Sequence, residues 1–219
     1  MPGMIAKHNE RQTVVRLKHT YSLLNQAVKM MILKNGELNQ WNDGSKEFFE
    51  QELKKQLKVI GEQDCPHFTF GKQGLCSQMP GVNHKYVLNN GVVVGVKARY
   101  YSLDQSSYDS PCSASVSTAL VKDARVHYNY CASIFVDLNG RSKPNIGGKD
   151  TFEFRAYTDG LLPLGYYEAS SNTGFRGCSK VGSTQCTAWV IHNDNMDYLR
   201  CRDELHWSGP HSCKEAGKK

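Results

Sequence analysis

From Arg11 to Leu33 the large apolar residues fall at Val14, Leu17, Tyr21, Leu24, Val28 and Met31, a spacing of 3, 4, 3, 4, 3. No strand has that period, so the segment predicts one α-helix with a continuous packing seam. Val15, Leu23, Ala27 and Ile32 widen the stripe, which suits packing on a broad surface better than a two-stranded coiled coil. Asn35-Gly36 ends the helix, because glycine takes the left-handed stop without strain. Pro2-Gly3 marks a start or a kink.

A second helix is expected from Lys46 to Ile60, capped by Ser45, with Glu47 in its first turn and Gly61 as its stop. Phe49, Leu53, Leu57 and Ile60 would form its buried face. Beyond Gly61 the helical period disappears. Gly, Asn and Ser punctuate short β-branched and aromatic runs, and all eight cysteines lie in this part. Tyr86 to Leu88 and Val92 to Val94 flank Asn89-Asn90-Gly91, whose Asn-Gly pair suits a primed hairpin turn. Cys131 to Leu138 and Thr151 to Tyr157 alternate apolar and polar residues on either side of a loop. Asp159-Gly160 then turns the chain into Leu161 to Leu164, where Pro163 suits only an edge or a strand end. Sequential strands with short turns predict an antiparallel meander and an α+β class. Residues 1–36 form a helical stem and 37–219 a head, together one domain.

Charge divides the chain in the same place. Residues 1–34 carry Lys7, Arg11, Arg16, Lys18, Lys29 and Lys34 against Glu10 alone, so they hold +5 of the formal +6. A basic helix serves nucleic acid, an anionic lipid surface, or nothing beyond solubility. No stretch approaches the roughly 20 apolar residues of a spanning helix.

Eight cysteines without a Cys-x-x-Cys pattern favour structural disulfides of an exported protein over reduced thiols or metal ligation. Cys201, His206, His211 and Cys213 make a compact Cys2His2 set, but their spacing fits no zinc finger, and a loop closed by a disulfide explains them better. Eight cysteines allow 105 pairings. Because short loops close most readily, the sequential set is expected: Cys65 with Cys76, Cys112 with Cys131, Cys178 with Cys186 and Cys201 with Cys213. Each would add roughly 3 kcal/mol.

The segment from Asp137 to Asp150 concentrates oxygen donors, and Asp137, Asn139 and Asp150 are candidate calcium ligands. Arg141, Lys143 and Lys149 oppose a cation there, and a turn whose side chains bond their own backbone accounts for the same residues. No nucleophile elbow, zinc-protease motif or phosphate loop is present, and no catalytic residue or small-molecule substrate is predicted.

Ile5 to Lys7 followed by Gln12 to Ala27 resembles the stretch after the transmembrane half of the first helix in bacterial type IV pilin-like proteins, including pseudopilins of type II secretion systems. Asn35 to Trp41, Val136 to Gly140 with Pro144-Asn145 and Gly148 to Phe154, and Ala188 to Ile191 with Asn195 to Leu199 are similar to patterns in a cysteine-containing branch of that family. The resemblance implies a pilin-like fold, a long amino-terminal helix packed on an antiparallel sheet with a second helix and disulfide-tied loops. It implies a structural subunit of a pilus, pseudopilus or DNA-uptake filament, whose partners are other pilin-like subunits and, through a segment absent from this chain, the inner membrane. The family's leader and apolar half-helix are absent, so the chain is expected to be the soluble part of a longer, membrane-anchored, extracytoplasmic precursor. Two rivals stand beside this expectation. One is a filament-tip module binding DNA or a surface ligand through Arg176, Lys180, Arg200 and Arg202 beside Tyr166, Tyr167 and Trp189. The other is an exported Cys/His enzyme, which requires a free thiol.

Overall fold

The computed structural model describes residues 2–38, 46–64, 84–98, 130–140, 142, 145–165, 177–178 and 182–218. The predicted first helix is present and longer than its seam, with α1 spanning Pro2–Asn35. Pro2 stands at its first position, where a missing N–H costs no hydrogen bond. Gly36 stops it with φ 83° while its N–H returns to Ile32 O at 2.9 Å. Val14, Leu17, Leu24, Val28 and Met31 are buried, and half-buried Tyr21 completes the seam. Val15 does not widen it. At about 100° per residue it lies opposite Leu17 and Leu24, and it is 67% exposed.

α2 covers Lys46–Gln56, shorter than the periodicity predicts. Phe49, Leu53 and Leu57 are buried as expected, but Ile60 is 69% exposed. The chain leaves the helix because Val59 begins β1, Val59–Asp64. Ile60 is the extra residue of a bulge between Val59, opposite Leu88, and Gly61, opposite Val87. Gly61 therefore sits inside a strand instead of stopping a helix. The expected Ser45 cap lies outside the described residues.

Five more strands follow: β2 His84–Leu88, β3 Val93–Ala98, β4 Ala132–Asp137, β5 Thr151–Tyr157 and β6 Gly160–Pro163. They pair antiparallel in sequence order, with Pro163 on an edge strand, where a missing N–H is tolerated. The β2–β3 connection is not a primed turn. Only Gly91 of its three residues has positive φ, 79°, and its N–H donates to Leu88 O at 2.9 Å. A three-residue loop with glycine in the left-handed position meets the same need.

One sheet face, with Val94, Val96, Ile134, Val136, Phe152 and Phe154, forms the core with the α1 seam. Tyr21 stacks on Phe154 with ring centroids 5.3 Å apart, and its hydroxyl donates to Leu161 O at 2.9 Å. Asn25 Oδ1 accepts from Leu161 N at 3.3 Å, so α1 clamps β6 by two polar contacts. Tyr21→Phe keeps the stack and loses one of them. We expect a loss of about 1 kcal/mol in urea unfolding, and an unchanged midpoint would show that the clamp contributes nothing.

Alternate residues of β4 and β5 point away from α1, and they too are buried, except half-buried Arg155. Ser133 Oγ donates to Glu153 Oε1 at 2.9 Å, Thr184 Oγ1 to Glu153 Oε2 at 3.0 Å, and Glu153 N to Thr187 Oγ1 at 3.0 Å. The alternation read from the sequence is therefore not a division between core and solvent. After β6 come a 3-10 turn at Thr184–Cys186, helix α3 at Thr187–Asn193, the single turn α4 at Tyr198–Cys201 and a 3-10 turn at Arg202–Glu204.

This architecture corrects the pilin-like fold that the resemblance implies. That fold is one long helix on a small sheet. Here the sheet has six strands, and α1 covers it together with α2, against β3, and α3, against β5 and β6. Residues expected to extend a helix became its first strand, and short helices follow it. The class is α+β only in that broad sense.

Candidate functional site

The β4–β5 loop does bring Asp137, Asn139 and Asp150 together. Asp137 is fully buried, and its Oδ1 accepts from Asn139 N at 3.0 Å and Gly140 N at 2.9 Å. With its amide oriented to donate, Asn145 Nδ2 reaches Asp137 Oδ2 at 2.7 Å and Ser142 O at 3.1 Å. Asp150 Oδ2 accepts from Asn139 Nδ2 at 2.9 Å and Asn145 N at 2.8 Å, while its Oδ1 accepts from Ile146 N. All four carboxylate oxygens thus face N–H groups. Calcium needs six to eight oxygens turned toward it, and these are turned toward their own backbone, so the residues do not fit that ion. The loop is a pair of aspartates bracing a turn. Burial first, and Asp150 second, push the Asp137 carboxyl up to about 7, against the pull of the two amides and Lys85. Lys149 is exposed, and Arg141 and Lys143 lie outside the described residues.

Two of the expected disulfides are present, Cys178–Cys186 and Cys201–Cys213, with S–S distances of 2.08 and 2.07 Å. Cys131 is also disulfide-bonded. Cys65, Cys76 and Cys112 lie outside the described residues, and with them the two remaining pairings. Bonding of Cys201 to Cys213 removes both thiolates from the Cys2His2 set, and His206 is exposed. Among the described residues no cysteine is free, and no group of three or more His, Cys, Asp or Glu side chains is placed to hold a metal. A Cys/His enzyme therefore has no nucleophilic thiol there.

Of the basic and aromatic set proposed for nucleic acid, Trp189, Arg200 and Arg202 lie among the described residues, and Trp189 and Arg200 are engaged within the fold. Trp189 is fully buried, its Nε1 donates to Asn195 Oδ1 at 3.0 Å, and its ring lies 5.2 Å from that of Trp207. It offers no face to a base. Arg200 is held by Glu10 at 2.6 Å and by Asp197. Arg202 lines a cavity of about 330 Å³ with Lys149, Tyr198, Asp203, Glu204 and the Cys178–Cys186 bond. Glu204 pairs with Lys218 at 2.9 Å. Charges of both signs line this cavity, so it is not an electrostatic trap for a polyanion. Arg176, Lys180, Tyr166 and Tyr167 lie outside the described residues.

What the apolar seam leaves over is the rest of α1. Ile5 to Asn9 are exposed on every side of the helix, so this stretch stands clear of the body. Further along, Val15, Met30 and Leu33 are 67, 51 and 80% exposed. The sequence carried the signal for these positions, because each falls on the side of the helix opposite the seam.

The fold and the paired cysteines define a disulfide-bonded α+β protein of an oxidising, extracytoplasmic environment. No described helix is long and apolar enough to cross a membrane. Residues 3–163 match the model of a family of unknown function, DUF6613, and the chain belongs to that family. No curated protein and no solved structure matches it.

Proposed function

We propose that the protein is a structural subunit of an extracytoplasmic filament of the pilus or secretion-pseudopilus kind, acting by assembly with subunits of its own kind. One observation carries this reading: α1 is helical where it stands clear of the body, with Ile5 to Asn9, about one and a half turns, exposed all round. A short helix alone in water is marginal, and these turns are held only by continuation of a packed helix. A pre-formed, exposed helical stretch with Ile5 64% exposed is suited to enter a groove of a neighbour. The reading rests on this projection and the oxidising compartment, since the sheet does not have the pilin form. The described cysteines serve as cross-links.

The test is sedimentation of the full, oxidised chain over a wide concentration range. Wild type is expected to form larger species as concentration rises, and Ile5→Asp to stay monomeric with an unchanged melting temperature. Wild type that remains monomeric throughout, or Ile5→Asp that assembles equally well, overturns the reading.

A further inference from the structure

From Arg11 to Lys34 every exposed residue of α1 is a cation, an uncharged polar residue or an apolar one, and none is an acid. The only acid of the helix, Glu10, lies on the seam side and is held by Arg200 at 2.6 Å. The cations are also ordered. Lys7, Arg11, Lys18 and Lys29 are 4, 7 and 11 residues apart, each close to a whole number of turns, so they form one line along the helix. At 1.5 Å per residue that line is roughly 33 Å long. Arg16 and Lys34, five turns apart, mark the opposite edge of the exposed face. Val15, Met30 and Leu33, 67, 51 and 80% exposed, lie between the two edges, with the exposed polar residues Gln12, His19, Ser22 and Gln26 in the same strip. Some edge cations are anchored to the body: Lys18 to Asp194 at 2.6 Å, Lys34 to Glu52 at 3.8 Å, and Arg16 to Asn90 O at 3.4 Å. Lys7, Arg11 and Lys29 have no ion-pair partner among the described residues.

We propose that the outer face of α1 is a docking surface for an anionic phospholipid bilayer, with the helix lying flat in the headgroup layer. A line of cations along one edge, two more on the other, and exposed apolar side chains near both ends of the uncharged strip between them suit that interface, phosphates outside and acyl chains below. Nucleic acid would satisfy the cations but leave Val15, Met30 and Leu33 against a sugar-phosphate backbone. A second copy packed face to face would set cation rows against cation rows. The bilayer alone answers both features. Lys7 belongs to both the cation line and the projecting turns, so the variants that tell this docking from assembly are Val15→Ser with Leu33→Ser, which leave Ile5 and Lys7 in place.

The experiment is co-sedimentation of the dilute, oxidised full chain with vesicles of phosphatidylcholine containing phosphatidylglycerol, and with vesicles of phosphatidylcholine alone. Binding is expected only to the anionic vesicles and is expected to weaken with salt, since surface charges are screened within about 10 Å at 0.1 M. Each cation near such a surface is worth about fivefold in affinity, so Lys7→Gln, Arg11→Gln and Lys29→Gln together are expected to cost about a hundredfold. Val15→Ser with Leu33→Ser should weaken binding at constant charge, while Lys214→Gln, far along the chain, should not. All these positions are exposed, so the variants should melt like wild type. No sedimentation with anionic vesicles at low salt overturns the proposal, as does equal binding to both vesicle types. Binding of a DNA duplex that depends on the three cations, without binding to vesicles, overturns it in favour of nucleic acid. Loss of vesicle binding on dilution together with self-association through this face overturns it in favour of a second copy.

Discussion

Replacing Trp189 with alanine is expected to lower the stability of the chain by about 3–5 kcal/mol, the usual cost of truncating a fully buried tryptophan. The side chain is 0% exposed and sits where α3 meets the carboxy-terminal segment. Trp207 and His211 lean on its ring at centroid distances of 5.2 and 6.1 Å. Its indole N–H supplies one of two hydrogen bonds to Asn195 Oδ1, the other coming from Asp197 N at 3.0 Å. Asn195 Nδ2 in turn holds Asn193 O at 2.8 Å and His211 O at 3.0 Å, so one amide fixes the exit of α3 and the tail together. The cavity and the lost bond therefore act on the same junction. Trp189→Phe should restore much of the packing while still losing the Asn195 bond, leaving a smaller deficit. Denaturant unfolding of both variants under oxidising conditions decides the matter. A loss below about 1 kcal/mol for Trp189→Ala would mean that the site collapses freely and that the tail does not depend on it.

Trp189 also shows where a sequence stops being legible. Its neighbours Trp207 and His211 meet it because the Cys201–Cys213 loop folds back, so an aromatic beside scattered arginines read as a stacking platform until the fold buried it. The α1 seam was legible because six positions over five turns agree with a single period, and a period needs no knowledge of the partner. The same reasoning failed at Leu57 to Ile60, where apolar spacing suits a helix end and a strand start equally, and pairing with β2 decided for the strand. Alternation in β4 and β5 was read correctly as strand but not as environment. Ser133 and Glu153 fall on the polar phase, and what covers them comes from elsewhere in the chain. Of the candidate site, the convergence of Asp137, Asn139 and Asp150 follows from a short loop between two strands. Which way their oxygens turn, toward an ion or toward their own amides, is set by backbone geometry that residue types do not encode.

That orientation makes Asp137 the largest source of pH dependence we expect among the described residues. Its carboxyl is shifted from the ordinary 3.8 to about 7, chiefly by burial and then by Asp150. The folded state therefore holds this proton over a range where the unfolded chain releases it, on Oδ2 with Asn145 turning its amide oxygen to accept it, and the Asn145 nitrogen donates there once the carboxyl ionises. Stability from the protonated carboxyl is present in full below about pH 4 and is lost as pH rises through 7. At about 1.4 kcal/mol per unit, the loss across that range is on the order of 4 kcal/mol. Asp137→Asn keeps an oxygen to accept from Asn139 and Gly140 and removes the charge. Asn145 can then present its amide oxygen to the new NH2 group in place of its nitrogen. The variant should match wild type near pH 4, exceed it by several kcal/mol near pH 8, and show a flatter stability profile between. Lys85 works against this difference, because its charge favours the ionised carboxylate and is lost as a partner in the variant. Unfolding midpoints of the two proteins at matched pH values give the answer directly. A constant difference from pH 4 to 8, or an asparagine variant weaker than wild type at pH 8, would show that Asp137 is ionised in the folded protein throughout, with Lys85 and the two amides outweighing burial and the neighbouring aspartate.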